Sequence, residues 1–127
     1  MLIVGLVLAG LAAVIHVWIF YLESVAWTKQ AGRAVFGLSA EQAESTRELA
    51  FNQGFYNLFL AIVTVLGIVL VGLDRPTIGA ALVLAGIGSM TAAALVLVAS
   101  NPRRGRAALA QGLLPALSIV AIVVGLL

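Results

Sequence analysis

The chain has 127 residues, 63% of them hydrophobic and 9% charged, with a mean hydropathy of +1.18. That apolar share is far above that of a soluble globular domain and reads as an all-α, polytopic membrane protein, a four-transmembrane-helix bundle forming one domain over residues 1–127. The net charge of +2 and pI near 9.7 come from basic residues in connections, which argues against nucleic acid as partner, and the absence of cysteine excludes disulfides, thiol redox chemistry and thiolate metal sites.

A bilayer-spanning helix needs ~20 predominantly apolar residues. Such runs place four helices at about 2–27, 40–73, 76–100 and 107–127. The first run lacks a positive leading segment and a small-residue cleavage site, and it ends in Glu23 and Trp27, so it is expected to be retained. On it Gly5, Ala9, Ala12 and His16 follow at spacings of four, three and four, a stripe that permits close helix contact. At 100° per residue, Glu23 and Trp27 fall within roughly 40° of the His16 line. Trp18, Tyr21 and Trp27 suit the aromatic belt.

The polar segment 28–39 carries a short apolar patch, Ala34-Val35-Phe36, suited to dipping into headgroups, and is read as a loop. Ser39-Ala40-Glu41-Gln42 reads as a capping box that starts the second helix. Further along, Glu48, Asn52 and Tyr56 follow at four-residue steps, with Gln53 and Asn57 in a second file, while Phe51, Phe55 and Leu58 are expected to face lipid. Gly72-Leu73-Asp74-Arg75-Pro76 is a tight turn with Pro76 at a helix start. The third helix has Ala81, Ala85, Ser89 and Ala93 in a small-residue seam, taken as a packing surface and as the contact of a homo-oligomer. Asn101-Pro102-Arg103-Arg104-Gly105 leads into the fourth helix, where Gln111 precedes Pro115, whose ring frees the Gln111 carbonyl.

Lys29, Arg33 and Arg47 border the first connection and Arg103, Arg104 and Arg106 the third, against Arg75 alone in the second. The positive-inside rule then puts connections 28–39 and 101–106 in the cytoplasm and both termini outside a cell membrane. In that topology His16, Glu23, Trp27, Glu48, Asn52, Gln53, Tyr56, Asn57 and Gln111 all belong to the cytoplasmic leaflet or its interface. Polar groups there must find protein partners or line a wet cavity, so the nine are the candidate ligand-binding cluster. The plainer reading makes the amides interhelical glue, each bond worth ~0.6–2 kcal/mol. With one histidine and no cysteine, no metal site and no cofactor is expected.

His16 with Glu23 and Trp27, the block Asn52-Gln53-Gly54-Phe55-Tyr56-Asn57 followed by Leu58-Phe59-Leu60-Ala61, and Gln111 with Pro115 together resemble the domain of unknown function 1304 family of small four-helix membrane proteins. The resemblance implies a four-helix integral membrane protein with recurrent polar positions on this cluster, and it implies no activity. Three functions compete on the residues themselves. Binding or transport of a small polar molecule, an ion or a lipid headgroup fits a set of amides, carboxyls and a phenol without an evident nucleophile. A membrane enzyme would use His16 with Glu23 or Glu48 as acid and base on a lipidic substrate. An accessory subunit would use the cluster only to fix helix register.

Overall fold

A computed structural model describes all 127 residues, and its chain is all-α. Helix α1 runs Leu2–Phe20 and passes into one π-helical turn, Tyr21–Val25; α2 is Gln30–Phe36, α3 Ala40–Gly72, α4 Pro76–Ser100, and α5 Gly105–Leu126 after a 3-10 turn at Pro102–Arg104. Four of these segments, Leu2–Val25, Ala40–Gly72, Pro76–Ser100 and Pro102–Leu126, are long and apolar enough to cross a membrane. The multi-pass fold read from composition is the fold observed.

The helix ends follow local chemistry. At the start of α3 the Ser39 hydroxyl accepts from the Gln42 amide at 3.1 Å and the Gln42 side-chain oxygen accepts from the Ser39 amide at 3.0 Å, the reciprocal pair of a capping box. At its other end Asp74 takes φ 57°, a left-handed conformation that aspartate tolerates, and the Arg75 amide closes onto the Leu70 carbonyl at 2.9 Å. Pro76 then opens α4, where a missing amide hydrogen costs nothing. Within 28–39, expected to be a loop, the structure folds α2.

Chain contacts divide the protein into two compact units, Met1–Ile15 with Leu60–Leu127, and His16–Phe59. The first is built on Ala9, Ala12, Val83, Ile87, Met90 and Ile122, all fully buried, with Leu6, Leu60, Ile68 and Leu114 among the side chains packed around them. Small residues let its backbones approach closely. A Cβ on Gly67 would stand 2.6 Å from the Val83 amide nitrogen and 2.7 Å from the Gly79 carbonyl oxygen, so glycine is required where α3 meets α4. The two hydroxyls buried in this unit are satisfied by backbone: Ser118 donates to the Gly5 carbonyl at 2.7 Å and Thr64 to the Leu60 carbonyl at 2.8 Å.

On α4 the buried face is Gly79, Ala80, Val83, Gly86, Ile87, Met90 and Ala94. The expected packing seam of Ala81, Ala85, Ser89 and Ala93 lies on the opposite, exposed side. Intrachain packing selects the other face because it carries both the glycines and the large apolar side chains. On α1 the stripe Gly5, Ala9, Ala12 and His16 is buried.

Gly67→Ala is expected to lower stability by about 1–3 kcal/mol, the usual cost of overpacking, because the obstacle is backbone and cannot rotate away. Gly88→Ala, which meets nothing within 4 Å, should be neutral or stabilising by up to ~1 kcal/mol. Melting curves of the two variants in one detergent check this; equal losses would contradict it.

Candidate functional site

The second unit, His16–Phe59, holds the end of α1, the π turn, α2 and the first five turns of α3. The π turn is closed by the Ala26 amide bonding back five residues to the Tyr21 carbonyl at 2.9 Å. Such a turn admits an extra residue into the helix and re-aims the side chains that follow, a device often found at functional sites. It also breaks the uniform 100° step, so the angular count that aligned His16, Glu23 and Trp27 does not hold across it.

Against the π turn, α3 presents a line of small buried residues, Ala43, Ala50 and Gly54. A Cβ on Gly54 would fall on the Ser24 hydroxyl and lie 3.0 Å from the Ser24 amide nitrogen and 3.1 Å from Glu23 Cβ. Glycine therefore lets the two segments touch, and the Ser24 hydroxyl donates to the Phe51 carbonyl at 2.8 Å across that contact. Asn57 Nδ2 donates to Glu23 Oε2 at 2.8 Å, half-buried, a second tie between the same segments. On the apolar side Phe20 packs edge-on to Phe55, centroids 5.1 Å apart. Trp27 is fixed by its indole N–H donating to Thr46 Oγ1 at 3.1 Å and by a ring contact with Phe36 of α2 at 4.8 Å.

These ties frame an open cleft of about 560 Å³ lined by Glu23, Ser24, Val25, Trp27 and Thr28 on one side and Arg47, Glu48 and Phe51 on the other. The α3 wall is an i, i+1, i+4 set on one helix face. Its ionic groups are weakly engaged. Arg47 stands 3.7 Å from Glu44, both side chains two-thirds exposed, a pair worth ~0–1 kcal/mol at most. No hydrogen bond or ion pair within the chain reaches Glu48 or Thr28.

Of the nine residues expected to cluster, Glu23, Trp27 and Glu48 line the cleft and Asn57 braces Glu23. His16 is 2% exposed and does not line it. Asn52, Gln53 and Tyr56 lie on the outward side of α3, exposed, and their side chains make no hydrogen bonds inside the chain, although the Gln53 carbonyl accepts from Asn57 Nδ2 at 3.2 Å. Gln111, half-buried, belongs to the first unit. Phe51, 52% exposed, contributes to the cleft wall and Phe55 makes the ring contact with Phe20, both flanking the buried line of small residues on α3. Sequence reasoning missed Ser24, Thr28 and Thr46 as site residues, and read Arg47 as a charge that sets topology. The signal available for Arg47 was its place one helical turn before Phe51 and beside Glu48.

Gly54→Ala is expected to cost about 1–3 kcal/mol by forcing the π turn off α3, and Ser24→Ala about 0.5–1.5 kcal/mol for its hydrogen bond. The double variant should cost less than the sum, since removing the hydroxyl makes room for the new methyl. A thermal or denaturant double-mutant cycle reads the coupling; additivity to within ~0.3–0.5 kcal/mol would contradict the contact.

No curated protein and no solved structure matches the chain. A family model described as "Protein of unknown function (DUF1304)" matches residues 10–123, a stretch that takes in all of the second unit, most of the first and every residue of the cleft. With nearly the whole chain inside that match, the protein belongs to the DUF1304 family.

Proposed function

We propose that the chain is a membrane binding or transport protein that takes a small polar molecule, an ion or a lipid headgroup into the cleft between the π turn and α3. The observation that carries this reading is a cleft of about 560 Å³, within the usual range of ligand pockets, whose Arg47 and Glu48 are left without strong partners by the fold. Charged groups held open at the wall of a concavity are what a polar ligand requires.

The length of α3 supports a place at the membrane surface. Its 33 residues extend ~50 Å at 1.5 Å per residue, against a hydrocarbon thickness of ~30 Å. Counting ~20 residues back from Gly72 reaches Gln53, so Arg47 and Glu48 stand within ~9 Å of the hydrocarbon edge, at headgroup level. The basic residues of connections 28–39 and 101–106 support a cytoplasmic mouth, with both termini outside and the membrane a cell membrane. A second copy of the chain covering the outward seam of α4 belongs to the same reading. The alternative of acid–base chemistry through His16 has less support, because the imidazole is buried away from the cleft wall.

Lipid-stripped protein is expected to melt at higher temperature with at least one member of a panel of headgroup analogues, ions and polar metabolites, and Arg47→Gln or Glu48→Gln should abolish that gain. No response to any compound would contradict the reading. For the orientation, the cysteine-free chain permits single labels: an impermeant thiol reagent outside intact cells should modify Leu73→Cys and spare Gln30→Cys, and the reverse pattern would contradict a cytoplasmic mouth.

A further inference from the structure

The cleft's uncommitted polar groups are unevenly divided between acceptors and donors, and the imbalance narrows the ligand. Acceptors dominate. Glu48 has both carboxyl oxygens unengaged, Glu23 has Oε1 free of the bond that Asn57 makes to Oε2, Thr28 bonds to nothing in the chain, and Ser24, already donating to Phe51, has only lone pairs left to offer. The single strong donor is the Arg47 guanidinium, since the Trp27 N–H is committed to Thr46. Val25 and Phe51, about half exposed, add apolar surface to the lining. A group with several N–H donors matches the acceptors, and a forked guanidinium matches a phosphate or carboxylate bidentately. A quaternary ammonium matches poorly, because it has charge and no N–H.

Resting on the binding reading above, we infer that the cleft takes a zwitterion, a primary ammonium a few bonds from a phosphate, with the ammonium on the Glu23 and Glu48 side and the phosphate on Arg47. Phosphoethanolamine carries this chemistry, either as a lipid headgroup or as the free soluble ester. The exposed apolar lining and the interfacial length of α3 suit the lipid form, and the donor–acceptor match alone suits both.

Isothermal titration of lipid-stripped protein with O-phosphoethanolamine, phosphocholine and inorganic phosphate tests the chemistry. O-phosphoethanolamine should bind about tenfold or more tighter than phosphocholine, the worth of one charge-assisted hydrogen bond. Glu48→Gln should erase that preference and leave inorganic phosphate unchanged, whereas Arg47→Gln should weaken all three; both side chains are exposed, so unchanged melting temperatures confirm folded variants. Native mass spectrometry of protein drawn from equal mixtures of phosphatidylethanolamine and phosphatidylcholine separates the sources. Retained phosphatidylethanolamine supports the lipid form, and binding of the soluble ester without such enrichment supports the free form. Equal or tighter binding of phosphocholine, or a preference insensitive to Glu48→Gln, overturns the inference. Should another compound bind with the same dependence on Arg47 and Glu48, the cleft remains a binding site and only the zwitterion fails; if no compound depends on either residue, the binding reading fails with it.

Discussion

Inside a bilayer the lipid tails are as apolar as the side chains, so burial of apolar surface does not drive one helix against another; close backbone approach and polar bonds do. This chain meets the constraint with small residues at the contacts. Gly67 lets α3 reach the Val83 amide and the Gly79 carbonyl, and Gly54 lets the π turn reach α3 within hydroxyl distance. The Ser24 bond to the Phe51 carbonyl and the Asn57 bond to Glu23 exist only because that second approach is so short. The cleft is a consequence of the same contact: where the small buried line of α3 gives way to Arg47, Glu48 and Phe51, the segments part and a wall opens.

The satisfaction of polar groups follows the same division. Ser118 and Thr64 are buried and spend their protons on backbone carbonyls, and no buried side-chain nitrogen or oxygen lacks a partner. Unengaged or weakly engaged polarity is left at exposed positions, and among those lining the cleft are Thr28, Glu48 and Arg47, the last paired only with the exposed Glu44. Internal matching and external availability are thus separated in space. The fixed Trp27, held by Thr46 and Phe36, keeps one wall in place with little side-chain freedom left to lose on binding.

Long apolar runs made the four membrane-length helices legible, and fixed chemistry made the capping box at Ser39 and Gln42 and the stop before Pro76 legible too. Helix α2 was not, because seven residues carry too little periodicity to announce a helix that is marginal without its tertiary contacts. The π turn was invisible for a related reason: an inserted residue shows in backbone bonding, and counting at a constant angle carries Glu23 and Trp27 to the wrong azimuth. Polarity on α3 was a poor guide to its buried side. Asn52, Gln53 and Tyr56 are polar by type yet exposed on α3, and the small residues Ala43, Ala50 and Gly54 took the inner face. Glu23, Trp27, Glu48 and Asn57 are brought near one another because they sit where the π turn meets α3.

The central claim is that the cleft beside the π turn is held open for a polar ligand. A high-resolution structure of the protein in lipid nanodiscs tests it most directly. The account predicts non-protein density in the cleft within hydrogen-bonding distance of Arg47 and Glu48, with Ser24 still bonded to the Phe51 carbonyl. A closed cleft in which Arg47 and Glu48 turn inward to satisfy Glu23 and Thr28, leaving no volume between them, would contradict it.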